Sequence, residues 1–380
     1  MRLAVLCPVS THAFDGVRDY ASALAAQLAA RAPTVLVLGP GETTPPVAGM
    51  EDRRAPAVVH LQAWRQLWTR RMEGLCGQPD IWIVQYVPQP LVAHGGLLWL
   101  TAWLWYARFV RRCRVVLTVH EYDVPWIRSV RRIAAQLALR AVMVLMGLAA
   151  SRVVVTYEAE RAKLSRLLRW TSRAPIAVIP VGTSFPAAAP GRHASGRPPS
   201  LVMFGQPANM SGPLVSALGR WLVEAGAGAS LHWIGRSRGE ILALWSTACG
   251  LPADVLDVQD GRSGEEVSRL LAEADACVAP IVDGISTRRS TVITALAHAL
   301  PVVGTDGACT DDVLRRSSAC LLSPVGDAEG FVRNLALLAR DTGRRAEMSR
   351  AARALFNEHF AWDRIADAYL AHLSERAGAA

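Results

Sequence analysis

The chain is 380 residues long, 51% hydrophobic and 19% charged, too apolar for disorder and longer than one core usually grows, so two domains are expected. Lysine and arginine (41) outnumber aspartate and glutamate (32), and the formal net charge of +9 suits an anionic partner: nucleotide, phospholipid or nucleic acid. The seven cysteines are odd in number, scattered and free of any Cys-x-x-Cys pair, which implies neither a disulfide framework nor a zinc site.

Leu3-Ala4-Val5-Leu6 reads as a strand that begins almost at Met1, so no export signal is expected and the compartment is read as a reducing cytoplasm. Thr34–Leu38, Ile81–Gln85, Val115–Val119 and Val153–Thr156 continue as short apolar runs separated by longer helical patterns. Such alternation predicts βαβ units on a parallel sheet. In the first connection Val17, Tyr20, Ala21, Leu24 and Leu28 recur at helical spacing, behind a start at Asp15-Gly16. The apolar stretch from Leu91 to Val110 is interrupted by His94, Gly95-Gly96 and Arg108 and falls short of a clean bilayer span.

After Val178-Ile179-Pro180, the segment from Pro186 to Pro199 is rich in Pro, Ala, Gly and Ser and predicts an interdomain linker. The strand pattern then restarts at Leu201–Phe204, Ser230–Ile234, Ala276–Pro280 and Val302–Gly304. The expected organisation is a first domain over 1–185, a linker over 186–199, a second domain over 200–360 and a closing helix over 361–380.

Ligands of open parallel sheets sit beyond the carboxyl ends of the strands, and three loops there carry chemistry. Asp15-Gly16-Val17-Arg18-Asp19-Tyr20 opens the first helix, where a glycine allows a phosphate to approach the backbone amides; a plain turn fits equally well. His120-Glu121-Tyr122-Asp123 puts an imidazole and two carboxylates at a strand end, or simply a satisfied surface histidine. Asp283-Gly284-Ile285-Ser286-Thr287-Arg288-Arg289-Ser290-Thr291 leads into a helix over Val292–Leu300. There Ser290 or Thr291 can cap the helix, and Arg288 or Arg289 can bind a diphosphate; a capped helix with two solvated arginines is the plainer alternative.

Taken in order, Gln85-Tyr86-Val87-Pro88, Thr118-Val119-His120-Glu121, Val178-Ile179-Pro180-Val181-Gly182, Phe204-Gly205, Ile234-Gly235, Ala274-Asp275-Ala276, the run Ala295 to Val303 and Phe360 to Ala366 resemble the family 4 (group 1) retaining glycosyltransferases. The resemblance implies the GT-B fold, two Rossmann-like parallel-sheet domains facing across a cleft. The first would bind the acceptor and the second the nucleotide-sugar donor, and the closing helix would return to the first domain. It implies transfer of a hexose with retention of anomeric configuration, no metal and no cofactor beyond the donor. Gly16 would lie near the donor phosphates, and His120 would hydrogen-bond the donor sugar or help position the reacting groups.

The chain departs from that family at its phosphate-binding cations and its paired glutamates. Arg18 replaces the second glycine of the first loop, and Gln206 to Ser211 lacks the usual Arg and Lys. Arg18, Arg236, Arg288 and Arg289 are the candidates to meet the phosphate charge. Ser286 and Thr294 occupy the positions of the two glutamates, and Asp283 is the nearest acid to take over; an Asp-Gly-x-Ser-x-Arg-Arg stretch resembles a subset of the family. His120 and Asp283 are thus the catalytic candidates. Gly16, Arg18, Gly205, Gln206, Gly235, Arg236, Gly284, Ile285, Ser286, Arg288, Arg289, Ser290 and Thr291 are the donor-binding candidates.

Two segments suit a peripheral contact with an anionic inner membrane face. Leu98 to Phe109 carries Trp99, Trp103 and Trp105 beside Arg108, Arg111, Arg112 and Arg114; Trp126 to Ala149 sets Arg128, Arg131, Arg132 and Arg140 among apolar residues, although core helices explain it equally. A lipid-linked or saccharide acceptor in envelope polysaccharide or glycolipid synthesis would follow. The main alternative is a GT-B-shaped protein that has lost catalysis and binds a sugar nucleotide or a partner. Dispersed arginines without a recognisable motif argue against nucleic acid, and Cys7-Pro8-Val9-Ser10-Thr11 after the first strand lacks the Gly-x-Gly-x-x-Gly of a nicotinamide enzyme.

Overall fold

The computed structural model describes residues 1–9, 16–41, 55–122, 130–186, 199–224, 229–250 and 256–375. The chain divides into two compact units, Met1–Pro180 with Trp362–Ala380, and Val181–Ala361. The division falls at Pro180, ahead of the expected boundary at 185, and residues 187–198 of the expected linker lie outside the described residues.

The first unit is built from β1 (Leu3–Cys7), α1 (Gly16–Ala29), β2 (Thr34–Leu38), β3 (Ala57–His60), a 3-10 turn (Trp64–Trp68), α2 (Arg70–Cys76) and β4 (Ile81–Tyr86). It continues with α3 (Pro88–Ala93), α4 (Gly96–Trp105), a π-helical turn (Tyr106–Val110), β5 (Arg114–Val119), α5 (Val130–Ala149), β6 (Arg152–Val155), α6 (Glu158–Leu168) and β7 (Ile176–Val178). All pairings in its seven-stranded sheet are parallel, in the order β3-β2-β1-β4-β5-β6-β7. Central strands β1 and β4 are buried at every residue, because helices cover both faces of a parallel sheet; their side chains are apolar except for Gln85 and the phenol of Tyr86.

The second unit runs β8 (Ser200–Phe204), a 3-10 turn (Pro207–Asn209), α7 (Gly212–Glu224), β9 (Ser230–Gly235), α8 (Arg238–Cys249), β10 (Asp257–Asp260), α9 (Gly264–Glu273) and β11 (Ala276–Ala279). Then follow α10 (Ser290–Ala297), β12 (Val302–Asp306), α11 (Asp312–Arg315), β13 (Cys320–Pro324), α12 (Ala328–Arg340) and α13 (Thr342–His359). Its parallel sheet has the order β10-β9-β8-β11-β12-β13. Both sheets are thus doubly wound, with the strand order reversing between β1 and β4 in one and between β8 and β11 in the other, where such sheets take their ligands.

The closing helix α14 (Trp362–Ser374) packs on α1 in the first unit. The Tyr20 and Tyr369 hydroxyls meet at 3.0 Å, Trp362 packs against the Tyr20 ring, and Arg31 pairs with Asp367 at 3.0 Å. No helix among the described residues is long and apolar enough to cross a membrane: the Leu91 to Val110 stretch is broken into α3, α4 and the π-helical turn.

The structure adds four strands to the nine expected from sequence, β3, β7, β10 and β13, and all four are sheet edges. An edge strand is exposed along one side, so it tolerates polar residues, as in Asp257-Val258-Gln259-Asp260, and loses the apolar run that marks an interior strand.

Candidate functional site

In the second unit the candidate residues gather at the reversal of strand order. Gly205 follows β8 with φ of 135°, and a Cβ there would stand 3.2 Å from Met210 Cε and 3.7 Å from Thr291 Cγ2. A Cβ on Gly235, at the end of β9, would come 2.7 Å from the Gly205 carbonyl oxygen. These glycines let two strand ends and the start of α10 approach one another closely. Gln206 and Arg236 are exposed beside them.

The loop from Asp283 to Thr291 is laid against the segment that follows β12. Ile285 N–H donates to Thr305 O (3.0 Å), Cys309 N–H to Asp283 O (2.9 Å), and Thr305 Oγ1 to Ile281 O (2.7 Å). Gly284 has φ of 93°, and a Cβ there would collide with Thr310 Oγ1 and reach 2.6 Å from Gly307 N. Thr287 donates from N (2.7 Å) and Oγ1 (2.8 Å) to Oδ2 of the buried Asp311. Ser286 is fully buried, and its hydroxyl has no hydrogen-bond partner among the described residues.

Arg288 and Arg289 project from this loop into one carboxylate. Arg288 Nη2 donates to Asp283 Oδ2 at 2.9 Å, and Arg289 Nη2 to Oδ1 at 2.5 Å. Burial pushes the Asp283 carboxyl up, but the Arg289 and Arg288 guanidiniums outweigh it and hold it below its ordinary value. A carboxylate engaged on both oxygens is fitted to orient the guanidiniums and ill fitted to accept a proton. The two guanidiniums so oriented precede the exposed Ser290 and the half-buried Thr291 at the start of α10.

Two expectations for this helix need correction. Its N-cap is Arg289, without a side-chain cap bond, so neither Ser290 nor Thr291 caps it, and it ends at Ala297 instead of Leu300. Ala299 has φ of 58°, a left-handed conformation that stops the helix before Pro301. Thr294, at one of the glutamate positions, is buried and donates to Ser290 O at 2.7 Å, while its hydroxyl also meets Thr183 at 2.7 Å. Val181, at the start of the second unit, is tied to the same loop, its N–H donating to Thr287 O at 3.1 Å.

The first unit carries the other candidates. Gly16 is exposed at the start of α1; Arg18 pairs with Asp19 at 3.5 Å; residues 10–15 and Asp123 lie outside the described residues. His120 follows β5, with its Nε2 at 2.8 Å from Gln85 Oε1 and its ring 5.1 Å from the Tyr20 ring, edge to face. Burial pushes the imidazole down to about 4, so the ring is neutral at pH 7. Among the described residues no three His, Cys, Asp or Glu side chains gather as a metal site would require. Sequence reasoning missed Asp311, Thr310 and Gly307 behind the arginine loop, and gave Gln85, Tyr20 and Tyr369 no role beside His120.

Residues 201–341 match the family model of "Glycosyl transferases group 1". Curated proteins gave no match. Among solved structures, a sucrose-phosphate synthase from Thermosynechococcus elongatus is 16% identical with a TM-score of 0.69, over 98% of each chain. HepE of Anabaena, solved in complex with UDP and glucose, is 15% identical with a TM-score of 0.69, over 98% of this chain and 100% of its own. WaaG, a glycosyltransferase involved in lipopolysaccharide biosynthesis, is 14% identical with a TM-score of 0.64, over 98% of this chain and 100% of its own. The chain therefore has the GT-B fold, two Rossmann-like parallel-sheet domains, and over residues 201–341 it carries the sequence pattern of the group 1 glycosyltransferases that it resembles.

Proposed function

We propose that the protein is a nucleotide-sugar-dependent glycosyltransferase whose second unit binds the donor diphosphate. The observation that carries this reading is the meeting of Gly205, Gly235, Thr291 and the paired Arg288 and Arg289 where the strand order reverses. Close backbone approach, the start of α10 and two oriented guanidiniums suit a diphosphate. As the sugar leaves, charge grows on the diphosphate, and guanidiniums already oriented by Asp283 stabilise it without reorganising. A neutral His120 in the first unit offers a hydrogen bond to a sugar hydroxyl instead of a charge. HepE was solved with UDP-glucose, so UDP-hexoses are the first donors to test. The resemblance supports retention of configuration without a metal or further cofactor.

For the acceptor, a saccharide or lipid-linked saccharide of the cell envelope fits an exposed apolar face in the first unit. Leu98, Trp99, Phe109 and Val110 are exposed on α4 and the π-helical turn, next to exposed Arg111 and Arg112. Leu137 and Leu145 of α5 are exposed as well, and Trp105 Nε1 donates to Leu145 O at 2.9 Å; Trp126 and Arg128 lie outside the described residues. Apolar side chains beside arginines suit the cytoplasmic face of an anionic membrane.

The test is release of nucleoside diphosphate from UDP-hexoses by the purified protein, with and without Arg288→Ala/Arg289→Ala. Release that falls at least tenfold in the double variant supports the assignment, and equal release by both proteins refutes it. The alternative, a binding protein without catalysis, draws on the buried Thr294 and the fully engaged Asp283; its signature is donor binding without turnover under any acceptor.

A further inference from the structure

The Gln85 side chain is fully buried at the end of β4, an unusual place for a primary amide in an otherwise apolar strand. Burial of an amide is costly unless it is hydrogen-bonded, and only the oxygen finds a partner among the described residues: Gln85 Oε1 lies 2.8 Å from His120 Nε2, while Gln85 Nε2 has none. An amide oxygen can only accept, so this contact requires the proton on Nε2 and leaves Nδ1 bare.

The ring is held from a second side. Tyr20 of α1 packs edge-on against it, and the Tyr20 hydroxyl is fixed by Tyr369 OH at 3.0 Å, which in turn meets Thr118 Oγ1 at 2.9 Å. The imidazole is held by an amide and a phenol, and a second phenol and a threonine hydroxyl stand behind Tyr20; burial pushes the ionisation of both phenols further up, so none of these groups is charged near pH 7. Glu121 follows His120 in the chain and is exposed.

We propose that Gln85 is a positioning residue that holds His120 as the neutral Nε2–H tautomer, so that Nδ1 accepts a hydrogen bond from a substrate hydroxyl. The role of Nδ1 rests on the transferase reading above, whereas the tautomer does not. The arrangement selects for a ligand that donates at this point, as a sugar hydroxyl does, and against one that presents only an acceptor.

The experiment is two-bond 1H–15N correlation NMR on the full chain with 15N-histidine, the His120 signals being assigned by their loss in His120→Asn. The expected spectrum at pH 7 has the Nε2–H pattern for His120, converted to mixed tautomers in Gln85→Leu. Gln85→Glu keeps an acceptor oxygen, so it should retain Nε2–H while raising the imidazole pKa, and it serves as the control if Gln85→Leu folds poorly. An Nδ1–H pattern in the parent, or a Nε2–H pattern unchanged in Gln85→Leu, overturns the proposal. If transfer is observed, Gln85→Leu should lower kcat/KM by about two- to tenfold, the worth of one hydrogen bond. The tautomer readout needs no turnover, so a locked His120 in a protein without transferase activity would sink the functional reading and spare this one.

Discussion

Replacing Asp311 by alanine tests whether the arginine loop is held from behind. Asp311 is 3% exposed, and one of its oxygens, Oδ2, takes both the N–H and the hydroxyl of Thr287, at 2.7 and 2.8 Å. Bonds to a charged acceptor contribute about 1.5 to 3 kcal/mol each, and the alanine variant leaves the buried Thr287 N–H without this acceptor. The expected loss is about 3 to 5 kcal/mol. Asp311→Asn keeps a carbonyl oxygen able to accept both bonds, so its cost should be about 1 to 2 kcal/mol. Urea unfolding of the three proteins at one pH measures this as a shift of midpoint at constant slope. An alanine variant within about 1 kcal/mol of the parent, or an asparagine variant as damaged as the alanine one, would refute the argument. Since Thr287 precedes Arg288 and Arg289, the alanine variant should also weaken nucleotide binding.

Gly284→Ala meets both a φ of 93° and contacts with Thr310 and Gly307, so a loss of about 2 to 4 kcal/mol is expected in the same unfolding assay, and a neutral result would contradict the close packing of the two loops. Tyr369→Phe removes the hydroxyl between Tyr20 and Thr118; a cost of about 2 kcal/mol should appear, larger than that of Tyr106→Phe, where the tyrosine is only half-buried. Burial lowers the His120 pKa to about 4, so between that value and the unfolded value near 6.5 the unfolded chain binds more protons. Stability should therefore fall as pH drops through this window, by up to about 3 kcal/mol from His120, with His298 and His372, also lowered mainly by burial, acting in the same direction. His120→Asn should flatten the slope; an unchanged slope would show that the ring is not desolvated.

The interior of both sheets was legible in the sequence because a strand buried on both faces is nearly always apolar, as Leu3–Cys7 is throughout and Ile81–Tyr86 is apart from Gln85. The four edge strands were not, since β3 is mostly exposed, β7 has three residues and β10 is polar at three of its four positions. Candidate loops could be found because they follow interior strands, and the glycines within them mark close approaches of backbone. What stands behind those loops could not be found. Asp311 meets Thr287 from 24 residues away and Tyr369 meets Thr118 from 251 away, and a polar contact between distant segments leaves no periodicity in either. The N-cap expectation failed for a related reason: Ser290 and Thr291 have the residue types of a cap, but the turn at Arg289 places them inside the helix.

The most direct test of the account is isothermal calorimetry of the purified protein against UDP, GDP and ADP and their hexose forms. One nucleotide family should bind selectively, and the Arg288→Ala/Arg289→Ala protein should lose at least tenfold in affinity while staying folded. Absence of binding across the whole panel, or binding that the double variant retains in full, would contradict it.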